Sequence, residues 1–355
     1  MSKDDRDYLM DEDEDMTHRE RVIEMLKGRP VDRPAIQFLY TPVGFYEHGE
    51  ALNDLYEKYP GDFEAFTRKP IPSPPASAFD REGRYYERIT DEWGATQEYR
   101  VYGIMGHAID FPIKTPKDAI NYVFPPYPDH VRNPADYAAA VRQAKEGYFV
   151  FGGGGDIMQR MWAIRGFENV MMDLADDAPE INQLMDRLSD YNRVQVEAVV
   201  AAGVDGIVFG DDYGTQNALI FSKDIFRRAI KPRLAKMMEP VRKAGLHIHF
   251  HSCGYVLDLF EDFKDLGVGS LWPQLPLYDM KELKRALDYY GFSIAIHTDR
   301  AFTMTSGSPE DVREAVLLEN EIFKPKDGSA WFHIEADTGF PLDNIRALVE
   351  TVYQL

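Results

Sequence analysis

Short apolar runs and longer amphipathic stretches alternate along most of this chain. Ala35-Ile-Gln-Phe-Leu-Tyr40 follows Gly28-Arg-Pro-Val-Asp-Arg-Pro34 and predicts a buried first strand. A short helix over 17–29 precedes it. Asp62 to Phe66 predicts a weak second strand, and the Pro-rich stretch 69–80 a loop. Residues 83–113 carry aromatic and β-branched side chains without helical periodicity, which predicts an inserted β-ribbon or lid. Tyr122 to Pro134 reads as a connection. A regular alternation then sets in. Strands are predicted at Tyr148–Phe151, Gly206–Phe209, Leu246–His251, Gly269–Trp272, Phe292–Ile296 and Ala330–Glu335, with helical patterns between and after them.

Eight strands mostly separated by helices imply parallel pairing and right-handed crossovers. Over residues 17–355 this predicts a single α/β domain, a (β/α)8 TIM barrel with the ribbon or lid inserted after the second strand. A doubly wound sheet would want a Gly-rich turn after the first strand, and Tyr40-Thr-Pro-Val-Gly44 is not one.

Charge and cysteine content narrow the function. The chain of 355 residues has a formal net charge of −20, which excludes the basic footprint that nucleic acid or an anionic membrane surface needs. Part of that charge is the run Asp11-Glu-Asp-Glu-Asp15, and residues 1–16 read as an acidic disordered tail. No apolar run approaches the ~20 residues of a transmembrane helix. No signal-peptide pattern stands at the N-terminus, and Cys253 is the single cysteine. A reducing, cytoplasmic setting is expected.

In a barrel of this kind the chemistry lies where the strands end, at the C-terminal mouth. The predicted strand ends carry Tyr40, Gly152–Asp156, Asp211 and Asp212, His251 and Cys253, Gln274, His297 and Asp299, and His333 and Glu335. His247, His249, His251 and Cys253 fall at every second position, hence on one strand face. His247 and His249 lie deeper in that strand. His251 and Cys253 are either a hydrogen-bonded imidazole beside a buried thiol or two metal ligands. His333 and Glu335 repeat the spacing, so either residue offers a third ligand. Asp211-Asp212 reads as a helix cap with a solvated acid, or as a carboxylate pair that shares a proton or binds a cation. Asp91-Glu-Trp-Gly94 favours a β-turn with a packed Trp93 over a segment that closes on a ligand.

Gly28–Pro34, Asp91–Gly94, Arg165-Gly-Phe-Glu-Asn169, Gly210-Asp-Asp-Tyr-Gly-Thr-Gln216, Ile230-Lys-Pro-Arg233 and His251-Ser-Cys-Gly254 together resemble the uroporphyrinogen decarboxylase superfamily. The resemblance spans nearly all of 17–355. It implies either metal-free decarboxylation of uroporphyrinogen or zinc-dependent methyl transfer to or from a corrinoid protein. The decarboxylases carry an Arg-Gln-Ala-Gly-Arg segment after the first strand, whereas Phe38–Tyr46 holds no cation here. The methyltransferases carry a His-x-Cys pair that falls on His251 and Cys253, plus a second cysteine near the last strand that this chain lacks.

The resemblance therefore implies zinc on His251 and Cys253, with Glu335 or His333 as third ligand. It implies Asp211, Asp212 and His297 as catalytic groups. Tyr40, Phe45, Asp91, Trp93 and Asp156 are the expected substrate contacts, with Tyr99, Tyr102 and Met105 on the lid. The expected reaction moves a methyl group from a small methoxylated, aromatic compound to the Co(I) corrinoid (cobalamin) of a partner protein. A corrinoid:thiol methyltransferase is the neighbouring alternative, and a homodimer is implied by resemblance alone.

Overall fold

The computed structural model describes residues 15–355. Residues 11–14 of the acidic run, and with them nearly all of the expected tail, therefore lie outside the described residues. Thr17 caps the helix His18–Leu26 through a reciprocal capping box with Glu20, and this helix packs under the first strand.

The fold is built on a seven-stranded parallel sheet. In chain order the strands are β1 (Ala35–Leu39), then β5 (Phe151–Gly153), β6 (Gly206–Gly210), β7 (His247–Ser252), β8 (Ser270–Pro273), β9 (Ser293–Ile296) and β10 (Ala330–Glu335). Between β1 and β5 come β2 (Glu87–Thr90), β3 (Thr96–Tyr99) and β4 (His107–Asp110), which form a separate antiparallel sheet. The spatial order of the large sheet is β1-β10-β9-β8-β7-β6-β5. It is curled: the His249 ring of β7 lies 5.1 Å from Trp331 of β10 and 5.6 Å from Phe151 of β5. Helices over Pro179–Ala201, Lys231–Lys243, Pro309–Phe323 and Leu342–Tyr353 are among those that cover its outer face.

The expected closed barrel of eight strands is corrected here. Asp62 to Phe66 forms no strand, and among the described residues β1 and β5 do not pair. The reason is local. Asp62 donates its N–H to the Ile36 carbonyl (2.7 Å), and its carboxylate takes the Ile36 N–H (2.8 Å) that a neighbouring strand would use. The fully buried carboxylate also accepts from Arg21 (2.6 Å) and Arg33 (2.8 Å) and contacts His18. Burial works against its charge, but these partners hold it below the ordinary carboxylate range. Phe63 then fills the gap, its ring 5.7 Å from Phe151 and 5.9 Å from Trp331. The inserted segment does contain a β-ribbon, of three strands. No helix among the described residues is long and apolar enough to cross a membrane.

Candidate functional site

Two mouth loops are zipped together. After β6 the chain runs Asp211–Thr215, and after β7 it runs Cys253–Tyr255. Asp211 donates its N–H to the His251 carbonyl (3.1 Å), Gly214 to that of Cys253 (3.2 Å), and Tyr255 to that of Thr215 (2.8 Å). Gly254 has φ +80°, and a Cβ there would lie 2.1 Å from the Gly214 carbonyl carbon. Glycine at both positions lets the backbones touch. The contact delivers Asp212, whose carboxylate accepts the Cys253 N–H (2.9 Å) and the side-chain amide of Gln159 (3.0 Å).

Ligand-capable atoms of Asp212, His251 and Cys253 all lie within 4.8 Å of one another, the one such group among the described residues. His251 Nδ1 faces the Trp272 carbonyl at 2.9 Å. A carbonyl only accepts, so Nδ1 carries the proton and Nε2 presents a bare lone pair. That Nε2 is 3.5 Å from Cys253 Sγ and 3.9 Å from Asp212 Oδ1. Burial lowers the His251 pKa although Asp212 opposes it, so the imidazole stays neutral at pH 7. Burial, then the Asp212 charge, pushes the Cys253 thiol up to about 12. A neutral imidazole, a thiol and a carboxylate side by side form a donor set that a divalent cation fits, and a cation would drive the thiol to thiolate.

The expected third ligands, Glu335 and His333, are not in this group, although Glu335 is near enough for its charge to act on His251 and Cys253. Glu335 lies 3.0 Å from Arg300 and 3.3 Å from His297, at ion-pair distance. Trp272 donates its indole N–H to His297 Nδ1 (3.0 Å), so His297 turns its proton-bearing Nε2 toward Glu335. His333 is buried deeper, with Nδ1 on the Gln37 amide oxygen (3.3 Å). The Trp272 ring packs against both His251 and His333, at centroid distances of 4.1 and 4.0 Å. Below them, His247 and His249 share the Ser270 hydroxyl, at 2.7 and 2.8 Å, inside the curled sheet.

Several other expected site residues make structural contacts. Asp211 is buried and accepts the N–H groups of Ile157, Met158 and Gln159, so it caps the helix Met158–Arg165. Burial and the neighbouring Asp156 raise its pKa to about 7. Asp156 accepts the Arg160 N–H (2.8 Å). Tyr40 and Phe45 pack with Tyr56 and Phe66 in the core beside β1. Asp91 holds a turn through the N–H groups of Trp93 and Ala95, and Trp93 is buried beneath the Arg160 guanidinium (4.4 Å).

A cleft of about 490 Å³ opens beside Asp212, between β3–β4 and the helices Met158–Arg165 and Phe167–Ala175. Its walls include Met105, Phe111, Trp162 and Phe167, with Gln159 between the cleft and Asp212. Sequence reasoning found Met105 but missed the helical wall. Its signal was present: Gln159, Trp162, Ala163 and Gly166 stand at i, i+3, i+4 and i+7, one helix face.

A solved methyltransferase from Methanosarcina mazei resembles the chain with a TM-score of 0.62 at 17% identity, covering 96% of this chain and 99% of that one. The likeness is one of fold. Dihydropteroate synthase from Anaplasma phagocytophilum is also similar in part, with a TM-score of 0.39 at 12% identity over 57% of this chain and 73% of that one. No curated protein matches. The family model of uroporphyrinogen decarboxylase (URO-D) matches residues 150–355, more than half of the chain and every element that carries the metal-type donors. The chain belongs to the uroporphyrinogen decarboxylase family.

Proposed function

We propose that the chain is a zinc-dependent methyltransferase that moves a methyl group from a small methoxylated compound to the corrinoid of a partner protein. One observation carries this reading: a bare imidazole nitrogen, a thiol and a carboxylate converge at the sheet mouth beside an aromatic-walled cleft. The methyltransferase neighbour, one of shared fold, is in keeping with it. His251, Cys253 and Asp212 would hold the zinc, leaving a fourth position for substrate. The metal would supply Lewis acidity toward the donor oxygen.

The chain's own residues do the positioning. The Trp272 carbonyl fixes the His251 tautomer, and the Cys253 N–H and Gln159 orient the Asp212 carboxylate. Phe111, Trp162 and Phe167 give a flat donor apolar surface to lie against. The β2–β4 sheet, with Met105 at the cleft, is the candidate lid. The decarboxylase alternative needs cations for a polycarboxylate, and no Lys or Arg lines the cleft.

Cobalt absorbance reports the test. Purified protein, a methoxylated arene and a reduced corrinoid protein should give methyl–cobalt absorbance that a zinc chelator abolishes. Turnover of a carboxylate substrate with chelator present and corrinoid absent would overturn the reading in favour of a decarboxylase.

A further inference from the structure

The cleft has a charge asymmetry that the proposed reaction does not explain. Its lining includes two carboxylates, Glu168 and Asp212, and no lysine or arginine. The cations on neighbouring segments are already paired. Arg160 faces Asp91 at 3.7 Å and lies over Trp93. Arg165 is buried against Asp173 at 2.9 Å, and Lys114 pairs with Asp110. At the mouth, Arg300 bridges Glu335 and Asp337, at 3.0 and 2.8 Å. His107 is the other titratable group in the lining.

A bound dication would not reverse this balance. Asp212 and a Cys253 thiolate together offset two positive charges, which leaves Glu168 as the uncompensated charge of the wall. The apolar part of that wall is aromatic: Trp162 and Phe167 stand edge to face at 5.2 Å, and Phe111 packs against Gly166 beside them. Ring faces with a carboxylate attract a cation and repel an anion.

We infer that the cleft selects methyl donors by charge: an arene bearing an ammonium group binds best, a neutral one next, and one bearing a carboxylate worst. The assignment of the cleft to the methyl donor rests on the proposed function. The order of affinities rests on the lining alone.

Calorimetric titration at pH 8 and low salt tests it with three ligands of matched size: para-methoxybenzylamine, para-methoxybenzyl alcohol and para-methoxybenzoate. The amine should bind at least ~10-fold more tightly than the benzoate, with the gap shrinking as salt is added. Glu168→Gln, at an exposed side chain, should narrow that ratio ~3-fold or more, with a smaller change for the alcohol than for either charged ligand. Benzoate binding as tightly as the amine, a ratio unmoved in Glu168→Gln, or no binding by any of the three would overturn the inference. Failure of the two proposals is distinguishable. Methyl transfer that is fastest from the benzoate sinks the charge order and keeps the reaction. The expected binding order without any transfer keeps the charge order and sinks the reaction.

Discussion

Two strand ends carry the same spacing and meet different fates. β7 carries His251 at its end with Cys253 just past it, and β10 ends in His333-x-Glu335, the same spacing at both. At the first end a carbonyl takes the imidazole proton, and the ligand atoms are left facing one another. At the second, Arg300 and His297 flank the carboxylate at ion-pair distance, and His333, with Nδ1 on the Gln37 amide oxygen, keeps an unpartnered Nε2 one step deeper, outside the three-donor group. Spacing decides which face a donor reaches. The neighbours decide whether other ligand atoms converge on it.

Exchanging the two imidazoles for amides should break this comparison most visibly. His251→Gln is expected to lower methyl transfer on the order of a thousandfold with the fold intact. His333→Gln should keep transfer within roughly tenfold of the parent. Steady-state rates beside circular dichroism check both, and equal losses would mean that the two ends are not distinct.

Arg300→Met should sharpen the contrast at the second end. Burial opposes the Glu335 charge, but the His297 contact and the Arg300 charge outweigh it and hold its pKa below the ordinary value. A lowered folded-state pKa adds stability above the unfolded-state value and loses it as pH falls through the folded one. The loss at pH 7 should be about 1 kcal/mol, discounted for the half-exposed guanidinium. The gap in Tm between parent and variant should be full at pH 7 and close below about pH 4. A gap that is constant with pH would show that Arg300 acts by packing alone.

The smallest effect belongs to Trp272→Phe. It keeps an aromatic ring near His251 and His333 but removes the N–H that fixes His297, and should cost about 1 kcal/mol. Thermal unfolding measures it, and zinc content should not change.

Much of this was legible in the chain because period-two alternation is a local signal. The β7 histidines, the strand ends and the parallel alternation follow from it. Asp62 defeated the eighth strand because its carboxylate, held by Arg21 and Arg33, replaces a backbone ladder step. Asp212 was marked as a carboxylate, yet its link to Cys253 comes from a loop contact across 41 positions that no spacing rule covers. Glu335 was favoured on spacing, and Arg300, which neutralises it, went unread because its partner lies on another strand end. Their place at and after the first strand end suggests Tyr40 and Phe45 as binding residues. The short helix Pro42–His48 instead turns Phe45 into the core, where Tyr40 packs as well.

Zinc stoichiometry in two single variants tests the central claim most directly. Metal analysis of Asp212→Asn and Glu335→Gln, purified side by side with zinc present, isolates the third ligand. The structure predicts about one zinc per chain in the parent and in Glu335→Gln, and a clear loss in Asp212→Asn. Loss in Glu335→Gln with retention in Asp212→Asn would contradict it and return the third ligand to the last strand.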